Sequence, residues 1–117
     1  MMSNLPGELQ YSGRRLSIGD TTFDTEYPIQ EATLLTDKII VLHNPYTGPT
    51  SYGQFRNLIA YDLHGQKVWT AEHPGNDSND VYMKIVKSNP LTVHNFAGFE
   101  CVIDSATGKI IKKIFTK

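Results

Sequence analysis

Residues 57–69 and 99–111 are built on one grammar, and that repetition constrains the fold more than any other feature of the chain. In the first, the run Leu58, Ile59, Ala60, Tyr61 ends on Asp62, Gly65 closes a turn, and Lys67, Val68 and Trp69 return. In the second, Cys101, Val102, Ile103 end on Asp104, Gly108 closes a turn one residue longer, and Lys109, Ile110 and Ile111 return. An Asp at the first turn position accepts a bond from the backbone two residues on, and Gly takes the positive φ that side chains resist. Each segment therefore predicts a β-hairpin. The two glycines lie 43 positions apart, which hints at duplicated hairpin units over about residues 38–73 and 81–117.

The rest of the chain reads the same way. Residues 1–8 form a polar lead-in to a single domain over 9–117. Leu9, Tyr11, Leu16 and Ile18 around Gly13 predict a hairpin or a bent strand. After the turn signal Gly19-Asp20, the residues Thr21, Phe23, Thr25 and Tyr27 alternate with polar ones, as in a half-buried strand that Pro28 ends. Residues 29–35 read as a strand more than a short helix. Residues 38–43 form a continuous β-branched and Leu run, the pattern of a strand buried on both faces. A long loop follows over 44–56, and a second polar loop over 73–80. The C-terminal residues 109–117 place apolar side chains at helical spacing, yet the matching hairpin puts a return strand there. The expected fold is all-β: one domain of seven to nine short antiparallel strands in consecutive hairpins, as a sandwich, a barrel or a two-blade propeller-like sheet.

Composition narrows the function classes. The chain has 117 residues, enough for one core. Eleven Lys and Arg face twelve Asp and Glu, so the whole chain lacks the basic excess typical of a nucleic-acid binder. A single cysteine, Cys101, allows no intrachain disulfide. The first residues show neither a basic n-region nor an apolar h-region, and no apolar run is long enough to span a bilayer. A cytoplasmic protein with neither nucleic acid nor membrane as partner is the expectation.

The hairpin pattern, Ala60-Tyr61-Asp62 to Gly65-Gln66-Lys67-Val68-Trp69 and Cys101-Val102-Ile103-Asp104 to Gly108-Lys109-Ile110-Ile111, resembles the outer half-blade of β-propellers of the pyrroloquinoline-quinone dehydrogenase type. That resemblance covers about a quarter of the chain. A chain this short has room for only two such blades, so it cannot close a propeller alone. No propeller cofactor site carries over with it. The overall look is also loosely similar to small all-β immunity proteins of bacterial toxin systems.

Chemistry-bearing residues do not gather in the sequence. Cys101 sits in an apolar run, and His94 seven residues upstream belongs to no nucleophile signature. His43, His64, His73 and His94 lack ligand spacing, and His64 and His73 fall in turns expected to face solvent. Asp77, Ser78, Asn79 and Asp80 lack the longer series of a calcium loop. Asp24 and Glu26 fall on one face of the expected strand, the solvated one. No catalytic residue, metal ligand or cofactor site is assigned. The loop over 44–56 stands out instead. It is long for a compact domain and carries Tyr46, Tyr52, Phe55 and Arg56, types enriched at interface hot spots, stiffened by Pro45 and Pro49. The leading expectation is a non-enzymatic module binding a protein partner through these four residues. It would be a toxin-neutralising immunity protein or a small assembly subunit, with a homodimer through strand edges as one form. A ligand-binding barrel is the alternative, and an enzyme with a site hidden in one sequence the second.

Overall fold

The computed structural model describes residues 9–48, 55–75 and 80–116. Eleven strands and no helix occur among them: β1 (Leu9–Ser12), β2 (Arg15–Ile18), β3 (Thr21–Asp24), β4 (Ile29–Leu34), β5 (Lys38–His43), β6 (Leu58–Asp62), β7 (Lys67–Thr70), β8 (Tyr82–Ser88), β9 (Leu91–Asn95), β10 (Phe99–Ile103) and β11 (Ile110–Phe115). All pair antiparallel with their sequence neighbours. They form three open sheets: β1–β3 (sheet A), β4–β7 (sheet B) and β8–β11 (sheet C). The fold is all-β and hairpin-built, as the sequence predicts, and it is not a closed barrel. The strand number exceeds nine because the segment before Pro28 breaks twice, at Gly13 and Gly19, into three strands of four residues.

The sheets stack with B in the middle. Ile40, Leu42, Leu58, Ala60 and Trp69 of sheet B pack on Leu91, Val93, Cys101 and Ile103 of sheet C. Ile39, Val41, Ile59 and Tyr61, the alternate residues of the same two strands, pack on Leu16 and Ile18 of sheet A. Successive side chains on a strand point to opposite faces. A sheet covered on both sides therefore needs apolar residues at every position, which is why residues 39–42 carry no polar break.

Sheets B and C correspond in register, apart from a second bulge at Val86 in β8 that β4 lacks. Ile39 faces Tyr61 and Tyr61 faces Lys67; then Val68 is an extra residue, and Ala60 faces Trp69. In sheet C, Ile103 faces Ile110, Ile111 is extra, and Val102 faces Lys112. The first strands match too: the irregularity at Gln30 in β4 recurs at Met83 in β8. Both Asp-turn-Gly hairpins close alike. Asp62 Oδ1 accepts the amides of His64 and Gln66, and Asp104 Oδ1 accepts that of Ala106. Gly65 and Gly108 hold φ of 93° and 80°. The largest departure is one connection: fourteen residues separate β5 from β6, against three between β9 and β10.

The turn glycines also set the stacking. A Cβ on Gly108 would stand 2.6 Å from the Trp69 ring, and one on Gly65 would stand 2.7 Å from the Phe23 ring. In each case an aromatic of one sheet lies flat on the turn of the next. Trp69 adds a bond from its Nε1 to Ser105 O at 2.9 Å.

Candidate functional site

A concave feature that includes loop residues lies where sheet A meets sheet B. Its floor starts from a tight turn. Pro28 cannot donate to a ladder and ends the segment after β3. Thr25 pins that turn to the β1–β2 hairpin: its amide donates to Arg14 O at 2.7 Å, and Arg14 Nε donates back to Thr25 O at 2.8 Å. Strand β3 therefore stops at Asp24, so Asp24 and Glu26 do not share a strand face as the alternation predicts. Asp24 pairs with Arg15 across the hairpin, and the Arg15 guanidinium holds its carboxyl below the usual range. Glu26 turns the other way and meets Lys67 at 3.0 Å.

Behind the turn lies a buried polar chain. The Glu26 amide donates to the Tyr61 hydroxyl at 3.1 Å, and that hydroxyl lies 3.3 Å from His43 Nε2. His43 Nδ1 lies 3.3 Å from Pro28 O. A carbonyl only accepts, so Nδ1 carries the proton and Nε2 accepts from Tyr61. Every member then has a partner while His43 stays neutral. Burial lowers the His43 pKa, opposed by the Pro28 and Tyr27 carbonyls, and burial raises that of Tyr61. Five rings run in series through this region: Phe23, Tyr61, His43, Tyr27 and Phe55, with neighbouring centroids 4.9–6.2 Å apart.

The series ends at an open groove of about 210 Å³, lined by Glu26, Tyr27, Phe55, Arg56, Lys67 and Thr70. Its walls are aromatic and its rim holds two cations and one carboxylate. Two of the four loop residues singled out from the sequence, Phe55 and Arg56, meet here. A binding module calls for Tyr46, Tyr52 and Phe55 to be exposed, and Phe55 departs from that. Phe55 is only 8% exposed, because its ring stacks edge-on against Tyr27 at 4.9 Å and Gly48 lies flat on its other side. Arg56, one residue on, is exposed. Tyr46 is 79% exposed. A closed turn holds its backbone: the Tyr46 amide donates to Asn44 Oδ1 at 2.9 Å and the Thr47 amide to Asn44 O. Tyr52 lies outside the described residues.

The other sequence candidates separate. Cys101 and His94 pair with Val93 and Glu100 respectively and therefore project from opposite faces of sheet C. Cys101 is fully buried and its thiol is pushed up to about 11 by burial, so it supplies no thiolate at neutral pH. His73 is not solvent-facing as its loop position implies; it is 7% exposed, with Nδ1 3.0 Å from Gly75 O. Among the described residues, no three His, Cys, Asp or Glu side chains gather as metal ligands, and no helix is long and apolar enough to cross a membrane. Tyr27, His43 and Tyr61 are the site residues that sequence reading misses. They come from a bend and two strands far apart in the chain, and the only local signal is a histidine closing an otherwise apolar run.

A family model described as a domain of unknown function (DUF7957) matches residues 7–115. The chain belongs to this family. No curated protein matches it. The DUF7957 match takes in all three sheets, the groove and both Asp-turn-Gly hairpins, so the layered stack as a whole is what the family model covers.

Proposed function

We propose that this DUF7957 chain is a non-enzymatic protein-binding module, of the kind a toxin-neutralising immunity protein or a small assembly subunit requires. The observation that carries this reading is the β5–β6 connection. In two sheets that otherwise correspond, apart from a second bulge at Val86 in β8, this segment is expanded from three residues to fourteen. It presents Tyr46 on a hydrogen-bonded turn and contributes Phe55 and Arg56 to an aromatic groove. An exposed aromatic on a fixed backbone loses little entropy on binding, and Tyr with Arg dominates interface energetics. The three sheets are open and form no closed barrel, which favours this reading over a ligand-binding barrel. A cytoplasmic setting accompanies the proposal, since the lone Cys101 makes no use of an oxidising compartment.

The test is site-specific photo-crosslinking in the native cell. A benzoylphenylalanine at position 46 is expected to give one discrete protein adduct, which Arg56→Glu removes. The same probe at position 22, on the outer face of sheet A, is expected to give none. Equal adduct patterns from both positions, or an adduct indifferent to Arg56→Glu, would overturn the proposal. Once the partner is in hand, Tyr46→Ala is expected to weaken binding by about 2 kcal/mol, roughly thirtyfold.

A further inference from the structure

The near-zero net charge of the chain conceals a segregation. Residues 1–80 carry five Lys and Arg against ten acidic residues, whereas residues 81–117 carry six lysines against two. The cationic half is sheet C, and the register shows where its charges lie. Two rows cross its outer face, the one turned away from sheet B: Lys84–His94–Glu100–Ile114 and Lys87–Thr92–Val102–Lys112. Lys84, Lys87 and Lys112 are exposed.

Apolar side chains sit among these charges. Five of the eight exposed large hydrophobic residues in the described chain belong to sheet C and its turns. Phe96 at the β9–β10 turn is 65% exposed, and Phe115 at the end of β11 is 59% exposed. Thr116 donates through both its amide and its hydroxyl to Gly98 O, which brings the end of β11 to that same turn. Phe96 thus projects at one end of a lysine-bearing face, on which Ile114, 44% exposed, stands in the Lys84 row, whereas Phe115 pairs with Phe99 and turns to the opposite face.

We infer that the outer face of sheet C docks on an anionic lipid membrane, with Lys84, Lys87 and Lys112 among the headgroups and Phe96 and Ile114 at the interface. The kind of cation decides between a lipid surface and a protein one. Residues 81–117 contain no arginine, and all three arginines of the chain lie earlier. Protein interfaces enrich Arg and deplete Lys, because the planar guanidinium makes paired, directed bonds. A lysine is a hydrated point charge that serves diffuse attraction to a charged surface, and the cytoplasmic leaflet is such a surface. Aromatic residues favour the zone between headgroups and acyl chains. This surface is separate from the groove, and the inference stands independently of the proposed partner.

The experiment is co-sedimentation of the full chain with vesicles of phosphatidylcholine alone and of equal parts phosphatidylcholine and phosphatidylserine. Binding is expected only with phosphatidylserine and is expected to weaken as salt rises. The triple variant Lys84→Glu, Lys87→Glu, Lys112→Glu should lose binding by about tenfold or more. Arg56→Glu, in the groove, should leave it unchanged. A Phe96→Trp variant should be quenched by brominated phosphatidylserine vesicles, and circular dichroism should show all three variants folded. No binding at low salt overturns the inference, as does binding that the folded triple variant retains. Equal affinity for duplex DNA or polyglutamate also overturns it, since that marks a general polyanion binder rather than a membrane-docking face.

Discussion

Gly108 has no room for a side chain, and Gly19 has plenty. Both hold positive φ, 80° and 57°, but nothing lies within 4 Å of a Cβ built on Gly19, whereas the Trp69 ring lies 2.6 Å from one on Gly108. The pair separates backbone strain from stacking. Gly19→Ala is expected to cost about 1 kcal/mol from φ alone. Gly108→Ala should cost about 3 kcal/mol, since Trp69 must also move. Urea unfolding of the two variants checks this, with Trp69 emission as the probe; equal losses would mean that the ring does not rest on the turn as described. His43 supplies a second prediction at this scale. Its folded pKa is lowered from 6.5 by burial, so the unfolded chain takes up the proton first as pH falls. Stability from this group is full above about pH 6.5 and declines as pH drops toward the folded value. The lowered carboxyls of Asp24 and Asp62 act only below their ordinary value of 3.8, outside that window. The unfolding midpoint should therefore fall between about pH 7 and pH 5, and His43→Gln should flatten that slope. Tyr61→Phe should cost about 1–3 kcal/mol at neutral pH, because the Glu26 amide and His43 Nε2 both lose their partner.

Strands β5 and β11 show how the same apolar content carries different weight. In β5, Ile39 faces sheet A and Ile40 faces sheet C, and both are fully buried. Ile39→Ala and Ile40→Ala are each expected to cost about 2–5 kcal/mol. In β11, Ile111 is 62% exposed, and Ile111→Ser should change stability by less than about 0.5 kcal/mol. Thermal unfolding of the three variants tests the contrast, and a large loss for Ile111→Ser would mean this strand is covered. The same contrast explains what was legible in the sequence. The unbroken run over residues 39–42 announces a strand buried on both faces, and the Asp-to-Gly spacing announces both hairpins. The β11 pattern misleads because Ile111 is an extra, bulged residue. One inserted residue breaks the period of two and leaves Ile110, Ile111 and Ile114 at a spacing that imitates a helix. The groove was only half legible. Phe55 and Arg56 stand out by type and loop length, but their neighbours Tyr27 and Lys67 arrive through the stacking of sheets A and B, which no local spacing encodes.

At the scale of the whole molecule, the question is why the stack stops at three sheets. The register correspondence answers it position by position. The face that sheet B turns to sheet C carries Ile40, Leu42, Leu58, Ala60 and Trp69; the matching positions on the outer face of sheet C are Thr92, His94, Glu100, Val102 and Lys112. Four of five apolar residues have become polar or charged. Sheet A ends the other side in the same way, with Gln10, Ser12, Arg15, Ser17 and Thr22 pointing outward. A stack of repeated layers needs such polar outer faces to stay discrete. Lysines along β11 add protection at that edge, where an uncharged strand would recruit another chain. Restoring the inner-face residues should therefore reopen the stack. A variant with Thr92→Ile, His94→Leu, Glu100→Leu and Lys112→Trp presents an apolar sheet face to solvent. It is expected to self-associate and to sediment at a mass at least double that of the wild-type chain under the same conditions. Glu100→Leu alone leaves the face mostly charged and should sediment as wild type does. If the fourfold variant folds, by circular dichroism, and still sediments at the wild-type mass, then burial by a further layer is not what those positions encode in sheet B, and the correspondence between the two sheets is one of backbone only.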